Sequence, residues 1–167
     1  QSILDSFLLD LQDCVRPVSL SPGAQPPLVQ IQDNLARVFE LVLREKDLAQ
    51  ILLHHAGPMD RSMETRLEEF YDQLAEMIQR SMTLGMGMGL LRQFNARLTS
   101  YAIIGAVKEV VFQITSSRES QPPVGELVQQ LLEFGMGGIL SESSYSLLEA
   151  ARRGGFQEPR QGLVGPE

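Results

Sequence analysis

Residues 59–116 read MDRSMETRLEEFYDQLAEMIQRSMTLGMGMGLLRQFNARLTSYAIIGAVKEVVFQITS, and their periodicity decides the fold. Before the glycine-rich run Leu84-Gly85-Met86-Gly87-Met88-Gly89-Leu90-Leu91, apolar residues fall at Met63, Leu67, Phe70, Tyr71, Leu74, Met77, Ile78 and Met82. That spacing lines one face of a helix. Glu64, Arg66, Glu68, Glu69, Asp72, Glu76 and Arg80 fill the other face and suit solvent. After the run, Asn95 can cap a second helix that carries Leu98, Tyr101, Ile103, Ile104, Val107, Val110, Val111, Phe112 and Ile114. This second helix is apolar on more than one side. The first helix therefore needs one covering neighbour and the second at least two.

Working outward, the same rhythm recurs through the chain. Ser2 can cap a helix with Ile3, Leu4, Phe7, Leu8, Leu11, Cys14 and Val15 on one face, which Pro17 ends or kinks. Pro26-Pro27 opens another, striped by Leu28, Ile31, Leu35, Val38, Phe39, Val42 and Leu43, with a bend or end at Arg44-Glu45-Lys46. Asp47 can cap a shorter continuation, Gly57-Pro58 stops it, and Asp60 caps the first helix of the central stretch. Beyond a polar loop at 117–121, Pro122-Pro123 opens a helix with a broad apolar arc from Leu127 to Leu140. In that arc Gly135, Gly137 and Gly138 would let a neighbouring backbone approach. A short helix over about Ser144 to Arg153 precedes a Gly/Pro/Gln-rich tail. The organisation expected is one helical domain, 1–153, and a tail, 154–167. No run alternates like a half-buried strand, so the fold class is all-α.

Composition narrows the function. A formal net charge of −7 argues against these residues gripping nucleic-acid phosphates by themselves. One cysteine, Cys14, excludes an internal disulfide framework and fits a reducing compartment, the cytoplasm. On its apolar stripe Cys14 reads as a small buried hydrophobe with no basic partner beside it. No apolar run is long enough to span a bilayer. The chain begins at Gln1, so a longer protein is expected upstream.

Chemical motifs are sparse. Gly85, Gly87 and Gly89 superficially suit phosphate, but no strand precedes them and no Lys-Ser/Thr follows, so a helix-ending turn is the better reading. His54 and His55 are sequence neighbours about 100° apart on a helix and do not converge on a metal. Neither a Cys/His cluster nor a nucleophile elbow is present, so no metal, no cofactor and no catalytic residues are expected. Lys108 and Glu109 interrupt the most apolar helix and must pair, reach water, or face a cavity or an interface; an interhelical ion pair is the simplest resolution.

The order of these elements resembles the effector half of the tetracycline-repressor (TetR) family of bacterial transcription regulators. Three features carry the resemblance. One is the helix Ser2–Arg16; another is Arg61–Leu84 with the turn Gly89-Leu90-Leu91-Arg92. The last is Leu98-Thr-Ser-Tyr-Ala-Ile-Ile-Gly-Ala-Val-Lys-Glu-Val followed by a polar loop and Glu126–Leu140. The family's basic helix-turn-helix head would lie before Ser2 and is not in this sequence.

The resemblance implies an antiparallel helical bundle whose last two long helices pair with their symmetry mates as a four-helix dimer bundle. The implied dimer face is Ala102, Gly105, Glu109, Phe112, Leu131, Phe134 and Gly138. A cavity for a small apolar effector would be lined by Phe39, Leu43, His55, Phe70, Tyr71, Leu74, Tyr101, Ile104 and Lys108. The effector would reset the N-terminal helix and, through a head outside this sequence, the binding of operator DNA. The competing expectation is a stand-alone helical homodimer that senses nothing; an enzyme ranks below both.

Overall fold

The computed structural model describes residues 3–54, 60–117 and 121–154. Seven helices occupy them: α1 Ile3–Cys14, α2 Pro27–Arg44, α3 Lys46–His54, α4 Arg61–Gly87, α5 Ala96–Ser116, α6 Val124–Ile139 and α7 Glu142–Gly154. No strand occurs among the described residues, as the all-α reading expects. The tail from 155 onward lies outside them.

Helix ends follow local chemistry. Pro27 begins α2, where its missing N–H would have had no helical partner. Glu45 breaks the α2–α3 junction, its N–H reaching the Leu41 carbonyl at 3.0 Å. Asp47 falls in the first turn of α3 rather than capping it. Asp60 accepts from the Met63 N–H at 2.8 Å and caps α4; Asn95 accepts from the Leu98 N–H at 3.0 Å and caps α5. α1 stops at Cys14, two residues before the position that Pro17 restricts.

Two boundaries differ from the sequence expectation. α4 does not end at Leu84 but continues through Gly85 to Gly87. Gly85 is buried, and a Cβ there would lie 2.9 Å from Leu91 Cδ1, so the chain returns over the helix at that residue. Only Gly89 of the glycine run takes the left-handed backbone, at φ +73°. α7 begins two residues earlier than expected, after Ser141, whose hydroxyl accepts from the Ser144 N–H at 3.3 Å.

The core gathers six helices. Phe7, Leu8 and Leu11 of α1 meet Phe39 and Val42 of α2, Leu52 of α3, Met63, Leu67 and Phe70 of α4, Val111 and Ile114 of α5, and Val128 of α6. α5 lies against α2, α3 and α4, and α6 lies mainly on α2. An ion pair between Asp5 and Arg66 ties α1 to α4. At the opposite end of α4 the chain is tied again. Leu91 and Leu140 form an isolated antiparallel bridge, the Arg92 N–H reaches the Ile139 carbonyl at 3.1 Å, and the Ser141 N–H reaches the Leu90 carbonyl at 3.3 Å. The α4–α5 turn is thereby fastened to the end of α6.

Candidate functional site

The seam between α4 and α5 brings aromatic and charged side chains together inside the bundle. On α4, the Phe70 and Tyr71 rings lie 5.5 Å apart, tilted by 47°. Phe70 is buried and Tyr71 half-buried. From α5, the Lys108 ammonium stands 4.5 Å above the centre of the Tyr71 ring, well within cation–π range. Lys108 makes no ion pair among the described residues, so the interhelical pair expected for it is replaced by an aromatic face. Glu109 points to the exposed side of α5 and accepts from Gln113 Nε2 at 2.7 Å.

Tyr71 also carries an unmet demand. Its hydroxyl is buried and has no hydrogen-bond partner among the described residues, although buried tyrosine hydroxyls ordinarily find one. Burial pushes its pKa well above the usual tyrosine range, so the group stays protonated and remains a donor.

The other residues assigned to a cavity separate into groups. Phe39 and Phe70 are part of the closed core, and Leu43, Tyr71 and Leu74 pack against it. Ile104 is half-buried one turn before Lys108. Tyr101 is 46% exposed and engages Arg97 instead, through an Nε–H···Oη bond of 3.2 Å and a guanidinium 5.9 Å from its ring centre. His55 lies outside the described residues. The structure therefore brings Phe39, Leu43, Phe70, Tyr71 and Leu74 into one apolar cluster with Lys108 at its edge, and leaves Tyr101 on the outside.

The residues assigned to a dimer face share a different environment. Ala102, Gly105, Glu109 and Phe112 fall on one exposed stripe of α5, and Leu98 on the same stripe is 65% exposed. On α6, Phe134 is 79% exposed and Gly138 is exposed, while Leu131 is half-buried against the core. A Cβ added at Gly105, Gly135, Gly137 or Gly138 would meet nothing within 4 Å. These glycines face open space in the single chain.

Several polar contacts were not foreseen from sequence. Besides Asp5–Arg66, Ser100 is fully buried, donating to the Arg97 carbonyl at 2.8 Å, and Gln50 Nε2 donates to the Thr115 carbonyl at 2.7 Å, joining α3 to α5. Arg37 lies close to Cys14, its Nε–H bonding the Cys14 carbonyl at 3.0 Å, so a basic neighbour exists after all. Burial still raises the Cys14 thiol above its ordinary range, against the opposing pull of Arg37. A shallow groove of about 270 Å³ runs between α2 and the loop after α1. Its walls satisfy one another: Asn34 bonds both the N–H and the carbonyl of Arg16, and Arg37 bonds Asn34. Among the described residues no cluster of His, Cys, Asp or Glu could hold a metal, and no helix is long and apolar enough to cross a membrane.

No family model and no curated protein matches the chain. Solved structures do. A transcriptional regulator of the TetR/AcrR family from Thermobifida fusca is similar over 81% of this chain and 68% of its own, with a TM-score of 0.57 and 18% identity. The ketosteroid transcriptional regulator KstR2 of Mycobacterium tuberculosis is similar over 83% of this chain and 68% of its own, with a TM-score of 0.53 and 22% identity. The fold is thus the all-helical fold found in TetR/AcrR regulators.

Proposed function

We propose that this chain is the effector-sensing and dimerising part of a TetR-like transcription regulator. The observation that carries the reading is a helical arrangement shared with two such regulators over more than four-fifths of the chain. Both structural neighbours are transcription regulators, which supports a regulatory rather than a catalytic role.

Dimerisation uses the outer stripe of α5 and the outer face of α6. Leu98, Phe112 and Phe134 are too large and too exposed to suit water, and Gly105 and Gly138 leave room for a second backbone. Two-fold pairing of these faces would bury well over about 1,000 Å², the scale of a stable interface. The effector is a small, mainly apolar molecule held between α2, α4 and α5, among Leu43, Tyr71, Leu74, Ile104 and Lys108. Phe39 and Phe70 form its deeper surroundings, and Tyr101 stands at the rim. A net charge of −7 gives these residues no means of holding a phosphate backbone, so operator DNA would be held by a basic head elsewhere in the regulator.

Coupling runs through α4. Arg66 holds Asp5 of α1 little more than one turn from Phe70 and Tyr71. An effector that prefers one tilt of α4 therefore also selects one position of α1, by no more than its differential affinity for the two, typically about 1–3 kcal/mol.

Thermal unfolding against a panel of small apolar molecules, together with mass measurement in solution, tests the reading. A dimer whose melting temperature rises with a subset of the panel is the expected result. A dimer indifferent to every compound points instead to a helical interaction module, and a monodisperse monomer at micromolar concentration removes the dimer. The parent reading frame should encode a basic helix-turn-helix of about 50 residues before residue 1.

A further inference from the structure

We infer that the effector carries a carboxylate, and that Tyr71 and Lys108 are the pair that receives it. The inference rests on the ligand-sensing reading above and names the chemical class of the ligand.

The observations are complementary. Tyr71 offers a buried hydroxyl with no acceptor. Lys108 offers an ammonium with no anion within ion-pairing distance among the described residues, and it stands over the same ring. Both groups are donors, and among the described residues no hydrogen-bond acceptor answers the phenol and no carboxylate answers the ammonium. The seam is short of one acceptor that also carries negative charge. A neutral carbonyl would satisfy the phenol and leave the ammonium uncompensated, whereas a carboxylate has two oxygens and can accept from both.

The surroundings set the remainder of the molecule. Leu74 and Val107 pack against the core beside Tyr71, and Phe70 tilts against its ring. These neighbours are all hydrocarbon, so a ligand reaching the two donors would place an apolar body against them. It is an amphipathic acid, with an apolar body and one terminal carboxylate. The phenol remains a donor throughout the physiological range because burial keeps it protonated, and Lys108 supplies the charge.

Calorimetric titration of the full chain with decanoate and with decanamide tests this. The two probes share a hydrocarbon body and differ in the charge of the head. Decanoate is expected to bind at least about tenfold more tightly than decanamide. Lys108→Met should remove that preference, and Lys108→Arg should retain part of it. Tyr71→Phe should weaken both probes, because the hydroxyl donates to either head. Circular dichroism of each variant controls for folding, and the Arg variant keeps the test informative should the Met variant unfold.

Equal binding of the two probes, unaltered by either substitution, overturns the inference and leaves the apolar site standing. The same holds if neutral compounds of the panel bind and decanoate does not. Failure of every probe and every neutral compound overturns the ligand-sensing reading itself. If Lys108→Met weakens the dimer and no acid binds, the counter-charge belongs to a second copy of the chain, and the inference is overturned.

Discussion

α4 and α5 are neighbours of similar length, and they finish their surfaces differently. The outward positions of α4 are Glu64, Glu68, Glu69, Asp72, Glu76 and Arg80, all exposed, with Glu76 and Arg80 paired at 3.0 Å. Among the exposed positions of α5, Leu98, Ala102, Gly105, Glu109 and Phe112 line one stripe, beside the polar Arg97 and Gln113. One helix is complete within a single chain; the other shows water a surface that resembles an interior. Burial alone does not distinguish them, since both place several side chains in the core. The difference lies in what each leaves outside, and the proposed dimer would cover the α5 surface.

The comparison can be broken or sharpened experimentally. The largest effect belongs to the shared interior. Phe39 has no exposed surface, so Phe39→Ala should cost about 3–5 kcal/mol in denaturant unfolding, whichever helix is considered. A loss below about 1 kcal/mol would mean that the core is not closed around Phe39. Next comes the open face. Phe134→Asp should leave the monomer's unfolding within about 0.5 kcal/mol of the parent, since the side chain is 79% exposed, while abolishing the dimer in sedimentation. If the dimer persists, the α6 face is not the interface.

Two helical glycines divide along the same line. Gly85→Ala drives a Cβ to 2.9 Å from Leu91 Cδ1, so the Leu91 side chain must shift, and the variant should be less favourable than Gly105→Ala by about 1 kcal/mol. Gly105→Ala meets open space in the single chain and should stabilise the monomer by up to about 1 kcal/mol through helix propensity. A bulkier side chain at Gly105 should weaken the dimer. A more favourable change at Gly105 than at Gly85 would support the division, and equal changes would dissolve it.

The smallest effect is a pH dependence at the seam. The folded state holds the Tyr71 proton more tightly than the unfolded chain does. That contribution is fully present below the ordinary tyrosine value near 10 and declines as pH rises above it. One pH unit above that value, the loss should be about 1 kcal/mol, and it should vanish in Tyr71→Phe.

The sequence made some of this legible and concealed the remainder for physical reasons. Helix existence follows from periodicity and caps: Asp60 and Asn95 act where their side chains can reach the third following N–H, which is local chemistry. The length of α4 was misjudged because Gly85 is tolerated through Leu91, a contact made only after the chain turns back. Lys108 was expected to find a carboxylate and lies over Tyr71, because which face of one helix meets another is a tertiary fact. Tyr101 shares the spacing of a lining residue yet stands exposed, two turns from Lys108 and past the edge of the packed seam. Asp5 and Arg66 gave no signal, since each sits among ordinary surface charges.

The fastening of the α4–α5 turn to the end of α6, through Leu91, Arg92 and Ser141, has a kinematic consequence. A helix fastened there resists sliding along its axis, and a tilt about that point is the movement left to it. From Gly87 to Arg66 the arm is about 32 Å long at the helical rise. A tilt of about 5° there carries Arg66, and the Asp5 it grips, through nearly 3 Å, as an estimate from that arm length. The clasp at the glycine turn thus serves as a fulcrum, and the displacement is greatest where α1 is attached.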